Sequence, residues 1–415
     1  MKICIAQINP ILGDFEYNYQ MILQYIQAAS KEIENGFIIF PENSIGGYNP
    51  QDLILRKDFV RAHNVYLTKL AKEISSLSLT VILGSVREYE GKVYNSAFAI
   101  CQGALVHLHD KIDLPNHGVF DEKRTFASGN KISIHNLSGK KICVIICQDI
   151  WNYGLCEEVI KLKPEFIFCI NGSPFTKTKE TRRIELATNL AKKSSSYVVY
   201  VNQVGLQDSL LYDGGSFVAA PKGAIIYKAP KFQESSDVIE IDNFSSNTIN
   251  KVSITYTPNQ ENICSEIYNG LVFALREYLR KNNINQVIIG FSSGIDSTLT
   301  SVISFDAIGK ENVHLYAMPT RFNGQETQED AKNFCKINSV DLNQIDINEL
   351  YNIFSDKISL TNSDSIALQN LQSRIRGAIL MALSNQKKYL LLSTSNKSEL
   401  AVGYATLYGD MNGGY

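Results

Sequence analysis

The hydrophobic positions follow two different rhythms along the 415 residues. From residue 1 to about 241, short apolar runs recur between turn signals, at 3–8, 37–40, 79–86, 93–100, 141–147, 165–170 and 197–204. Amphipathic stretches at 17–34, 58–75 and 180–195 separate several of them, which predicts mixed strands and helices. The polar stretch Asn243-Phe-Ser-Ser-Asn-Thr-Ile-Asn250 closes this series and predicts a linker over 243–260. A second series follows: helix 261–281, strand Val287–Phe291, helix 296–307, strand 313–318, helix 325–338, strand 342–347, helix 364–385 and strand Tyr389–Leu392. Strict strand–helix alternation predicts a doubly wound parallel sheet with right-handed crossovers. The expected organisation is therefore one domain over 1–242, the linker, and a second over 261–415.

Length agrees, since domains of about 150 residues divide this chain into two or three. Forty basic against 42 acidic side chains leave a net charge of −2, and 44% of residues are hydrophobic. That balance describes globular domains and argues against nucleic acid as a partner. Eight cysteines are scattered through apolar segments with no Cys-x-x-Cys pair, as in a reducing compartment without structural zinc. The first ten residues alternate like a strand, and no apolar run approaches the ~18 residues of a membrane span, so no membrane association and a cytoplasmic location are expected.

Three segments of the first domain carry chemistry. Lys141-Ile-Cys-Val-Ile-Ile-Cys147-Gln-Asp-Ile-Trp151 is an apolar strand ending at a cysteine, followed by a helix-like run to Leu162. A thiol at such a turn is expected to meet backbone N–H groups and a positive helix end, which lower its pKa. A buried core cysteine fits the same pattern, and Cys143 reads that way. Phe37-Ile-Ile-Phe-Pro-Glu42 places a carboxylate after a strand, and His109-Asp-Lys111 places an ammonium after another. His107 and His109, one residue apart on a strand, are expected to face one side as a structural pair.

Together these blocks, in this order, resemble the nitrilase superfamily, specifically the glutamine amidotransferase domain fused to NAD synthetases, with its α-β-β-α sandwich. The resemblance implies Glu42 as general base, Lys111 as holder of the oxyanion, Cys147 as the acylated nucleophile and Glu122 as a group that orients the lysine or assists as acid–base. It implies a glutamine pocket at His117, Gln148, Ser173 and Lys179. Gln148 stands where the family usually has glutamate and His117 where it has tyrosine, so weaker glutamine binding or a different amide is expected. The Tyr212-Asp-Gly-Gly-Ser-Phe217 segment is expected to be a glycine turn between strands.

In the second domain, Val287-Ile-Ile-Gly-Phe-Ser292-Ser293-Gly294-Ile-Asp296-Ser297 is a strand, a turn of small residues and a helix start, a frame suited to a pyrophosphate or simply to a helix cap. With Asn370-Leu-Gln-Ser-Arg374 and Leu392-Ser-Thr394-Ser-Asn-Lys-Ser-Glu399, it resembles the NAD synthetase domain, an N-type ATP pyrophosphatase of the adenine-nucleotide α-hydrolase-like fold. That resemblance implies ATP contacts at Ser292, Ser293, Gly294, Asp296, Ser297 and Thr394, and Mg2+ at Asp296 and Glu399. It implies deamido-NAD contacts at Arg374, Thr406 and Asp410, and a homo-oligomer. Ser293 replaces a family glycine, which costs about a kcal/mol if its φ is positive. Family members continue beyond the Gly409-Asp410 motif, so an incomplete sheet is expected after Tyr415. A stand-alone amide hydrolase with a vestigial nucleotide domain is the alternative reading.

Overall fold

A computed structural model describes residues 1–241, 262–322, 324–361 and 365–415. The expected linker over 243–260 lies outside the described residues. The chain divides into two compact units, Met1–Gly270 and Leu271–Tyr415.

The first unit begins β1 (Lys2–Gln7), α1 (Phe15–Ser30), β2 (Gly36–Ile39), α2 (Lys57–Glu73), β3 (Thr80–Tyr89), β4 (Lys92–Cys101) and β5 (Ala104–Asp110). It continues β6 (Ile134–Leu137), β7 (Lys140–Ile146), α3 (Tyr153–Leu162), β8 (Phe166–Asn171), α4 (Lys179–Ser194) and β9 (Tyr197–Asn202). The hairpin β10 (Val204–Gln207) and β11 (Leu210–Asp213) follows, then β12 (Phe217–Ala219), β13 (Ile225–Lys228) and β14 (Ser235–Glu240).

Two six-stranded sheets form, ordered β14-β1-β2-β3-β4-β5 and β13-β12-β9-β8-β7-β6. Strand alternation decides what lies between them. Ile3, Ile5, Phe37, Ile39 and Ile82 of the first sheet meet Ile142, Val144, Ile146, Phe168 and Val199 of the second in one buried core. The intervening residues Cys4, Ala6, Ile38, Val81 and Leu83 face outward under Ile22, Ile26, Leu67 and Leu70 of α1 and α2. Cys143, Ile145, Ile167 and Cys169 do the same under Ala187 and Leu190 of α4. Each sheet is buried on both faces, which is why its strands read as nearly continuous apolar runs. At about 1.5–3 kcal/mol per buried aliphatic or aromatic side chain, this α-β-β-α layering is the main favourable term.

The second unit contains most of α5 (Ile263–Lys281), then β15 (Val287–Gly290), α6 (Ile295–Ile308), β16 (Val313–Ala317), α7 (Gln325–Asn338) and β17 (Leu342–Gln344). It ends with α8 (Asn348–Lys357), α9 (Ser365–Lys387), β18 (Leu390–Leu392) and α10 (Lys397–Val402). All four strands are parallel in the order β17-β16-β15-β18. The strand order reverses beside β15, so the unit is doubly wound and opens a crevice where such folds bind ligands.

Two local expectations fail. The helix-like run after Cys147 is a five-residue 3-10 turn, Cys147–Trp151, separated from α3 because Asn152 is extended and its side chain caps the new helix at Leu155 N, 3.2 Å away. His107 and His109 do not share a face. The register of β5 on β4 shifts between Ala97 and Phe98, so that Leu108 is an extra residue and the side chains on either side of it diverge. The His107 ring meets Phe98, on the helix-covered face, and its Nε2 reaches Asp110 at 2.8 Å, while His109 is buried against Asp149.

Candidate active site

β5 runs antiparallel to β4, which runs antiparallel to β3, so β2, β3 and β5 point the same way. The residues just past β2 and β5, Glu42 and Lys111, therefore emerge together. Lys111 Nζ lies 2.8 Å from Glu42 Oε1 and 3.0 Å from Glu122 Oε1. Glu42 and Lys111 are fully buried and Glu122 is 1% exposed. Glu42 also accepts from Asn95 Nδ2 at 2.7 Å and, through its other oxygen, from Gly172 N at 2.7 Å. Tyr48 donates its hydroxyl to Glu122 at 2.6 Å, and its ring lies 5.5 Å from the ammonium. Position 172 has to be glycine, because a Cβ there would lie 2.3 Å from the Tyr48 ring.

Cys147 joins this cluster from the second sheet, at the end of β7, with φ +46°, a left-handed conformation that costs a non-glycine residue about 1–2 kcal/mol. Its electrostatic neighbours are Glu42, Lys111, Lys179 and Glu122. The expected lowering of its pKa does not occur. Burial, followed by the Glu42 charge, pushes the thiol up to about 12, with Lys111 and Lys179 pulling the other way. The 3-10 turn that replaces the expected helix is too short to supply a sizeable dipole. Burial works against the Lys111 ammonium, yet Glu122 and Glu42 more than offset it and hold its pKa well above the ordinary lysine value. Burial raises Glu122, with Lys111 opposing and Glu42 adding to the rise.

The residues expected at a glutamine pocket come from the loop after β5 (His117), the 3-10 turn after β7 (Gln148), the loop after β8 (Ser173) and the first residue of α4 (Lys179). Ser173 is buried, its N–H held by Asn202 Oδ1 at 2.9 Å. Arg183, ion-paired with Asp213 at 2.8 Å, donates to the carbonyls of Ser173 and Pro174 and so fixes their loop from behind. Lys179 Nζ lies 5.8 Å from the Phe120 ring and 6.0 Å from Trp151, and burial lowers its pKa. His117 is exposed, edge-on to Phe120, and Gln148 is half-buried beside Cys147. The segment 212–217 is a turn with Gly214 and Gly215 at positive φ, between β11 and β12. It also buries Tyr212 against Tyr48, ring centroids 6.4 Å apart.

In the second unit, the crevice at the reversal of strand order is a cavity of about 320 Å³. Ser292, Thr394, Asp410 and Arg376 are among its lining residues. Ser297, buried, hydrogen-bonds Ser292 N at 3.3 Å and Gly294 O at 3.1 Å, tightening the loop before α6. Ser293 has φ +62°, the strained case, and its hydroxyl donates to Ser292 O and Thr327 O. Thr406 N donates to Asp410 Oδ1 at 2.8 Å, while Arg374 donates Nε to Leu407 O at 3.2 Å and so ties α9 to this loop.

Asp296 and Glu399 meet through Asn396, whose Nδ2 donates to Asp296 Oδ1 at 3.2 Å and whose N–H donates to Glu399 Oε2 at 3.2 Å. No group of three or more His, Cys, Asp or Glu side chains that could hold a metal occurs among the described residues. A pair of partly exposed carboxylates still fits magnesium, which takes one or two protein carboxylates and fills its shell with water and phosphate oxygens.

Residues the sequence did not single out are Asn95, Tyr48, Asp149, Arg183, Asp213 and Asn396. Asp149 and Asp213 stand just past apolar runs, a sign readable in the sequence, whereas Arg183 lies in the charged start of α4 and Tyr48 and Asn396 in polar loops. Among the described residues, no helix is long and apolar enough to cross a membrane.

Comparison with known proteins matches both units. The carbon–nitrogen hydrolase family model covers residues 2–248 and the NAD synthase model residues 267–415. The glutamine-dependent NAD(+) synthetase of Acinetobacter baylyi is 37% identical over 418 residues, spanning 100% of this chain and 76% of that protein. That of Thermotoga maritima is 34% identical over 451 residues, spanning 100% and 77%. The solved glutamine-dependent NAD+ synthetase from Acinetobacter baumannii, in complex with adenosine diphosphate, has a TM-score of 0.90 and 37% identity, covering 100% of this chain and 78% of that one. An amidase of the nitrilase superfamily from Nesterenkonia AN1, at 19% identity and TM-score 0.51 over 57% of this chain and 89% of its own, shares the fold.

Proposed function

The chain belongs to the glutamine-dependent NAD(+) synthetases, and on that premise we propose that Cys147 releases ammonia from glutamine while the second unit uses ATP to amidate deamido-NAD. The observation that carries the first half is Lys111, a fully buried ammonium set between Glu42 and Glu122 beside a buried thiol.

With its pKa near 12, the resting thiol keeps its proton, and Glu42 takes it as sulfur attacks the amide carbon. The carbonyl π electrons move to oxygen, and Lys111 balances that charge in a buried site of low dielectric. Glu42 returns the proton to the nitrogen as the C–N bond breaks, releasing ammonia and leaving a thioester on Cys147. Water, deprotonated by Glu42, then cleaves the thioester to free the acid and the thiol. Glu122 keeps Lys111 in place with help from Tyr48. Ser173 and Lys179 bind the rest of the substrate, together with Gln148 and His117.

In the second unit, a carboxylate oxygen of deamido-NAD attacks the α-phosphorus of ATP, and pyrophosphate leaves. Ammonia then displaces AMP from the acyl adenylate. Ser292, Ser293, Gly294 and Ser297 hold the departing phosphates at the start of α6, Thr394 contacts ATP, and Arg374, Thr406 and Asp410 stand on the dinucleotide side. Asp296 and Glu399 would hold Mg2+, which neutralises pyrophosphate charge when bound. A homo-oligomer is part of the same proposal.

Replacing Cys147 with Ala tests the division of labour. Glutamine-dependent NAD formation is expected to fall by more than about 10⁴-fold, with ammonia-dependent formation unchanged. Loss of both activities together refutes it.

A further inference from the structure

Asp149 sits at the junction of the two sheets and is used by no step above. Its side chain is fully enclosed, and its two oxygens accept four hydrogen bonds. Oδ1 takes Ile112 N at 3.1 Å and Asp113 N at 2.8 Å, and Oδ2 takes Ile146 N at 3.0 Å and His109 Nε2 at 2.8 Å. The places of those donors in the chain matter. His109 and Ile112 bracket Lys111, which leaves the end of β5 in the first sheet. Ile146 and Asp149 bracket Cys147, which leaves the end of β7 in the second. One carboxylate therefore ties the backbone carrying the ammonium to the backbone carrying the thiol. It also holds Ile146 N immediately before the left-handed Cys147 residue, whose strained φ of +46° needs support from its surroundings.

We propose that Asp149 is a positioning residue for amide hydrolysis: through its bonds to the Lys111 and Cys147 segments it sets the thiol and the oxyanion-holding ammonium at their working separation. His109 acts with it as the side-chain donor that completes the carboxylate's shell. The carboxylate only accepts here, so His109 carries its proton on Nε2. This inference rests on the amidase reading of Cys147. The Ser173 loop of the pocket is held separately by Asn202 and Arg183, so Asp149 acts on the rate of acyl transfer more than on substrate binding.

Asp149→Asn is the test, measured on the full chain with glutamine. An amide has one acceptor oxygen, so two of the four donors would face an N–H₂ group. Displacements of this kind typically cost on the order of 10²-fold in rate. A kcat lowered by about that factor with KM changed less than about threefold is expected. Alkylation of Cys147 by iodoacetamide should slow in parallel, a readout that general loosening would accelerate. Should Asp149→Asn fail to fold, His109→Gln against His109→Leu decides: Gln keeps an N–H donor and should retain about tenfold more kcat than Leu. A folded Asp149→Asn with unchanged kcat, a loss confined to KM, or equal activity of the two His109 variants overturns the inference. Inactivity of the unmodified chain towards glutamine would instead overturn the amidase reading, and this inference with it.

Discussion

In the first unit the candidate chemistry is enclosed: Glu42 and Lys111 are fully buried, Glu122 is 1% exposed, and the cluster is joined by hydrogen bonds of 2.6–3.0 Å. In the second unit Asp296 and Glu399 are partly exposed and are bridged by Asn396, while the loop hydroxyls bond to one another and to backbone. The difference follows from what each site has to supply. Amide cleavage needs a nucleophile, base and cation of its own, held in a low dielectric where their charges act strongly. Phosphate chemistry brings its own charges with the nucleotide, so the protein offers donors and carboxylates to a site that is completed on binding. Preorganisation in the first unit therefore couples chemistry to folding, and the second unit separates them.

Lys111→Met tests that coupling most severely. It leaves two buried carboxylates around an apolar side chain, and a loss of about 3–5 kcal/mol in stability is expected along with all glutaminase activity. Urea unfolding would measure it, and stability within about 1 kcal/mol of the parent would break the comparison.

Acid should also strike the first unit. His63 is fully buried against Phe15, Phe59 and Ser85, and burial lowers its pKa to about 3. The unfolded chain takes up this proton near pH 6.5, and the folded chain only near 3. The stability present above 6.5 is therefore lost as pH falls through that window, by about 1.4 kcal/mol per unit. His63→Gln should remove about 2–3 kcal/mol of the difference between pH 7 and 4.5 in denaturant titrations. An unaltered difference would refute this.

Asp296→Asn should do the opposite of Lys111→Met. An Asn oxygen can still accept from Asn396, so the melting temperature should move by no more than about 2 °C, while the Mg2+ concentration for half-maximal ATP-dependent synthesis rises roughly tenfold. A large drop in melting temperature would place this site in the same class as the first.

Ser293→Gly carries the smallest effect. It relieves a φ of +62°, about 1 kcal/mol, though it also removes the hydroxyl bonds to Ser292 O and Thr327 O. A several-fold lower KM for ATP is expected, and no change would show that those bonds offset the strain.

Much of this was legible along the chain because it is local. Four- to eight-residue apolar runs between turn signals place β2, β7 and β15, and the residue just past each run, Glu42, Cys147 and the Ser292 loop, is marked by its type and its place at a strand end. The strand–helix alternation of the second unit likewise implies a parallel sheet whose ends converge. Three features were not legible, each because it depends on contacts between distant segments. An extra residue at Leu108 separates His107 from His109, and only pairing with β4 reveals it. The pKa of Cys147 is raised because two sheets bury it beside Glu42, which no pattern around residue 147 contains. Asp149 looks like any polar residue in a turn until folding brings four donors from two chain segments to its two oxygens. Residue types and spacing marked the candidate groups and the strand ends that carry them, and the resemblance to two known families supplied the chemistry expected of them. The tertiary structure decided the protonation, strain and spacing of those groups, because desolvation and hydrogen bonding depend on neighbours that the order of residues does not make adjacent.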